Sequence, residues 1–97
     1  MQNLTGKWLC HGDGMTYHIT QDGNSVFVSG SGNGCHNVGF GIIDPQDKSV
    51  VLNWADLPDS KGFGAKGTCY IDASHPGVLK KKEGSASYAI GNFEKVA

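Results

Sequence analysis

Nowhere in its 97 residues does the chain carry an apolar run approaching the roughly 18–20 residues of a membrane-spanning helix. The opening Met1-Gln2-Asn3-Leu4-Thr5-Gly6-Lys7 has no apolar core of the kind a secretion signal needs, although a processed form remains open. There is no excess charge of one sign: eight Lys and Arg face nine Asp and Glu, for a net charge of −1. A nucleic-acid binder needs a concentrated basic surface, so that class is set aside. The single basic run, Lys80-Lys81-Lys82, is followed at once by Glu83 and reads as a solvated strand or turn.

Cysteine is scarce and odd in number, at three, so at least one thiol is free or pairs between chains. Reduced cysteines in a soluble, cytoplasmic protein are the simplest expectation. No Gly-x-Ser-x-Gly elbow, phosphate loop or dinucleotide fingerprint is present, so no catalytic residue and no cofactor is assigned. No stretch free of Gly and Pro is long enough for an amphipathic helix.

What the chain does have is glycine, 15 residues of it, much of it in turn-forming clusters. Turn signals fall at 12–14, 22–24, 30–34, 44–47, 58–62, 74–77 and 83–85, each joining residues that accept positive φ to residues that hydrogen-bond their own backbone. They cut the chain into short segments whose apolar residues alternate: Met15, Tyr17, Ile19; Val38, Phe40, Ile42; Val50, Leu52, Trp54; Cys69, Ile71. A period of two marks strands with one buried face. The expected strands are 5–11, 14–21, 25–30, 36–43, 48–55, 65–73, 77–82 and 87–96.

Eight strands joined mainly by hairpins make an up-and-down meander, and closing it removes both unpaired edges. The expectation is therefore an all-β chain, one domain over 1–97, folded as a single eight-stranded antiparallel barrel. The expected interior comprises the alternating residues above with Trp8, Cys10, Val26, Val28, Leu79 and Phe93. Leu9, Phe27, Val51 and Tyr70 are expected outside.

Gly6-Lys7-Trp8 at the start of the first strand resembles the Gly-x-Trp signature of the lipocalin-like (calycin) barrels, which include the avidins. The resemblance covers the whole chain in architecture and two short motifs in sequence. It implies that Trp8 plugs the closed end and that a basic residue on the last strand packs across it. Lys95 in Phe93-Glu94-Lys95-Val96 stands in that place, where the family prefers Arg. Gly6, Trp8 and Lys95 are then structural residues, the cation over the indole being worth about 1–2 kcal/mol. The biotin-site pattern of avidins is not recognisable.

With the first strand running upward, turns 22–24, 44–47 and 74–77 fall at the bottom. Loops 12–14, 30–35, 56–64 and 83–86 fall at the top, opposite Trp8. Binding in a barrel with one closed end is expected at the other. There an inward Trp54 offers an aromatic platform and Asp56 a polar anchor, with Tyr17 and Phe63 as further contacts for a small, partly apolar ligand. The same end holds Cys10-His11 and Cys35-His36. Adjacent strand residues point to opposite faces, and strands one and four stand roughly 14 Å apart along the sheet, so a metal site is not assigned.

Three functions stay open: non-catalytic binding of such a ligand; a structural or protein-interaction barrel with a filled interior that forms homo-oligomers through its outer strand faces; and a Cys/His metal or enzyme site at the rim. An eight-stranded barrel can be filled or can hold one ligand, and interior volume separates the first two.

Overall fold

A computed structural model describes residues 2–11, 14–32, 34–59, 62, 64–82 and 92–97. Eight strands follow in chain order: β1 (Gly6–Cys10), β2 (Thr16–Asp22), β3 (Ser25–Gly32), β4 (Cys35–Asp44), β5 (Ser49–Pro58), β6 (Lys66–Asp72), β7 (Val78–Lys81) and β8 (Phe93–Lys95). Each pairs antiparallel with the next, and β8 returns to β1, so the sheet closes into a barrel with sequential strand order. The all-β, eight-stranded antiparallel barrel read from the alternation is the fold observed. Residues 87–91 of the expected last strand lie outside the described residues.

The interior is apolar and tightly filled. Trp8, Cys10, Tyr17, Val26, Leu52, Cys69 and Leu79 are each at most 2% exposed. An interior void, lined among others by Leu4, Ile19, Val28, Val50, Ile71 and Phe93, measures about 20 Å3. That is room for about one water, and an apolar lining offers it no hydrogen bonds.

The bottom is shut by a segment that sequence patterning left unassigned. Residues 2–5 cross the barrel end below β1. Leu4 is buried there, and the Trp8 indole Nε1 donates to the Leu4 carbonyl at 2.9 Å. The strap is laced on both sides: the Leu4 amide donates to the Gln21 side chain, and Gln2 bonds the Ala73 and His75 carbonyls and the Gly77 amide. Gly6 follows at φ 150°, and a Cβ there would lie 2.5 Å from the Ala97 carbonyl oxygen. Only glycine meets both conditions.

Strand β4 overturns part of the expected interior. Val38, Phe40 and Ile42 were expected inside, and they stand outside at 40%, 44% and 51% exposure. Asn37, Gly39, Gly41 and Ile43 face inward instead. The cause is steric. Gly39 is registered with Trp54 and Gly41 with Leu52, both large inward residues of β5. A Cβ on Gly41 would come within 3.0 Å of both Val26 and Val50 and 2.8 Å of the Val51 carbonyl; one on Gly39 would come within 3.0 Å of Leu52. At these two positions the space beside β5 admits only glycine. Leu9, expected outside, is half-buried.

The upper turns are shorter than their glycine content suggests. Gly30, Ser31 and Gly32 belong to β3, and β4 begins at Cys35, so most of the expected 30–35 loop is strand. Gly30 is buried under the Tyr17 ring, where a Cβ would lie 2.5 Å from a ring carbon. Likewise Asp56, Leu57 and Pro58 continue β5 rather than opening a loop at 56–64. The two turns are tied by the Asp59 amide donating to the Gly34 carbonyl at 2.9 Å.

Candidate functional site

The residues expected at the open end separate into three groups. Trp54 faces inward, as alternation requires, and is 6% exposed, part of the buried core. Tyr17 is 2% exposed, its ring edge-on to Phe93 with centroids 5.1 Å apart, so it is a core side chain rather than a rim contact. Phe63 and the loop at 83–86 lie outside the described residues, as do 12–13.

Asp56 keeps the inward parity of Trp54 because β5 continues through it. It is half-buried, and the Asn37 Nδ2 amide donates to its Oδ1 at 2.7 Å across the β4–β5 ladder. Asn37 is 3% exposed. A buried amide needs such a partner, and here the carboxylate supplies it. The backbone of Asp56 is engaged as well, its amide donating to Ala65 and its carbonyl accepting from Gly64. The rim pair is half legible: alternation places Asp56, while the expectation of Val38, Phe40 and Ile42 inside puts Asn37 on the opposite, outer face.

The Cys-His dipeptides do not converge. Cys10 is sealed inside, whereas His11 points outward to Glu94 at 2.8 Å. Cys35 is half-buried and His36 is exposed, 3.6 Å from Asp59. Among the described residues no three His, Cys, Asp or Glu side chains gather as a metal site would require. No disulfide joins the three cysteines, and Cys10 and Cys69 are buried. At the closed end Lys95 is registered with Trp8, and its Nζ lies 3.5 Å from the Asn3 carbonyl.

The feature that stands out is on the outer wall. Phe27, Val38, Phe40, Ile42, Val51 and Tyr70 project from β3, β4, β5 and β6, all between 40% and 51% exposed. Ladder register makes them one patch: Phe27 lies across from Phe40, Ile42 across from Val51, and Val51 across from Tyr70. The Phe27 and Phe40 rings touch, with centroids 5.1 Å apart and planes tilted by 53°. A shallow depression of about 390 Å3 opens beside Phe40, bounded by Val38, Asn53, Ala55 and Lys66. At those exposures the six side chains present roughly 500 Å2 of apolar surface, a size at which patches are often functional. The patch is one-sided: Lys7, His18, Lys80 and Glu94 are exposed on β1, β2, β7 and β8.

The fold and this surface define a closed eight-stranded barrel with a filled interior and an apolar outer face. Its architecture is compatible with a lipocalin-like barrel. Comparison with protein-family models, curated proteins and solved structures returns no match.

Proposed function

We propose that this chain is a non-catalytic interaction barrel that works through the outer face of β3–β6. The carrying observation is the inversion of β4, which puts Val38, Phe40 and Ile42 on the surface while the interior keeps about 20 Å3. A drug-sized ligand occupies a few hundred Å3, so the barrel interior is a stabilising core, not a binding chamber. Gly6, Trp8 and the registered Lys95 support a place among the lipocalin-like barrels, with these residues holding the closed end. Three cysteines without a disulfide among them support a reducing, cytoplasmic setting.

An apolar-surface dye at submicromolar protein tests this reading. Wild type enhances the dye's fluorescence, and Phe27→Ser/Phe40→Ser lowers the enhancement several-fold at an unchanged denaturation midpoint. An equal signal from both proteins removes the face as the working surface.

The Asn37–Asp56 pair beside Trp54 favours a second reading, a shallow site for a small heterocyclic ligand at the rim, anchored on Asp56. Tryptophan fluorescence, screened with heterocyclic compounds on wild type, Trp54→Phe and Asp56→Ala, tests it. Binding that disappears in Asp56→Ala supports the rim site, and binding unchanged in both variants places it elsewhere.

A further inference from the structure

We infer that the partner of this face is a second copy of the chain, docked face to face with its strands antiparallel to the first. The inference rests on the reading of the β3–β6 face as the working surface and adds the occupant and its orientation.

Area is the first argument. A standard interface buries about 800 Å2 on each partner, a little over half of it apolar, which asks for roughly 450–500 Å2 of apolar surface. The six exposed apolar side chains supply about that much. Closure leaves no sheet edge for strand addition along the paired strands, so association through this wall is side chain to side chain, as between stacked sheets. The net charge of −1 sets no appreciable repulsion between copies.

Shape and charge along β4 give the orientation. The outward row reads, from top to bottom, His36, Val38, Phe40, Ile42 and Asp44. The upper half holds the depression beside Val38, whereas the lower half holds Ile42, the most exposed apolar residue of the row. A two-fold axis across the strands at Phe40 lays the lower half of one copy over the upper half of the other. The partner's Ile42 then enters the depression beside Val38, and the two Phe40 rings meet at the axis. An isologous contact needs this self-complementarity.

The ends agree. Lys66 on β6 and His36 on β4 mark the upper end of the face, the latter already near Asp59. Asp44 and Asp72 mark the lower end, with Lys80 across from Asp72 on β7. Antiparallel docking sets His36 toward the partner's Asp44 and Lys66 toward the lower end of the partner's β6, where Asp72 stands. Parallel docking would set acid end against acid end. Rim charges of this kind select orientation more than they add affinity.

Sedimentation equilibrium on wild type and four variants tests the inference, with denaturation midpoints recorded for each. Wild type is expected to show a reversible monomer–dimer equilibrium. Phe40→Glu and Ile42→Ser should each raise the dissociation constant, the former by at least about 30-fold, as central interface residues do. Lys66→Glu should raise it about 3- to 10-fold at low salt and less at high salt. Adding Asp72→Asn, which keeps the side-chain oxygen that accepts from the Ser74 amide, should recover most of that loss. A wild type monomeric at every concentration overturns the inference, while dye binding still judges the face itself. A dimer indifferent to Lys66→Glu overturns the antiparallel arrangement, and a dimer indifferent to both Phe40→Glu and Ile42→Ser overturns the interface.

Discussion

Strands β4 and β5 lie side by side through the longest ladder of the barrel, from Cys35–Pro58 to Asp44–Ser49, yet they distribute their residues in opposite ways. On β5 the large residues Val50, Leu52 and Trp54 go inside and the outside is mixed. On β4 the inside is Asn37, Gly39, Gly41 and, at its lower end, Ile43, while Val38, Phe40 and Ile42 lie outside. Both strands alternate with the same period. The difference shows that alternation fixes the period but not the phase: where a neighbour already fills the space, the small residues of the next strand turn inward. An apolar surface wall follows, since the β4 residues displaced from the interior have nowhere else to point.

The largest effects should separate the two strands directly. Leu52→Ala, which empties an inward β5 position, should cost about 2–5 kcal/mol in denaturant unfolding. Trp8→Ala should cost about 3–5 kcal/mol, because its indole is fully buried and braces the Leu4 strap. Gly41→Val on β4 tests the inverse, adding bulk rather than removing it. With a Cβ within 3.0 Å of three neighbours, about 1–3 kcal/mol should be lost, although the substitution raises β propensity. A neutral or stabilising Gly41→Val would mean that β4 is free to take the opposite phase.

Smaller effects sharpen the picture at its margins. Asn37→Ala should cost about 1–3 kcal/mol, because it strips the half-buried Asp56 carboxylate of its amide donor. Thiol titration of the native protein should find Cys35 reacting first and Cys10 and Cys69 only on unfolding, in keeping with their burial. The smallest effect lies on β6. Hydrogen bonds from Ser74 hold the exposed Asp72 carboxyl below its ordinary range, with lesser help from His75 and Lys82. A depressed native pKa stabilises above the unfolded value and ceases to do so as pH falls through the native one. Ser74→Ala removes the hydroxyl's bond and keeps the backbone amide's, so it should flatten the acid limb of the stability profile slightly, and an unchanged limb would remove the hydroxyl as a source.

The fold was legible because hairpin turns and alternation are local signals. The eight strands, their antiparallel order and the inward positions of β2, β3, β5 and β6 follow from them. Two things were not. The phase of β4 depends on what β5 places across the barrel, which no local window of β4 contains. The reach of β3 to Gly32 was hidden because Gly30 and Gly32 signal a loop by composition, whereas they lie in a strand beneath Tyr17 and Met15. At the rim, Trp54 and Asp56 were correctly oriented, but the Asn37 partner was lost with the phase of its strand. The outer patch was visible only in part, through Phe27, Val51 and Tyr70, because its three central residues had been assigned to the interior.

The account turns on whether the outer wall serves association rather than the fold, and one variant measured twice decides that. Phe40→Ser should unfold within about 0.5 kcal/mol of wild type, as surface substitutions do, while losing the concentration-dependent association of the native chain. A variant that loses several kcal/mol of stability, or that associates as wild type does, would contradict it.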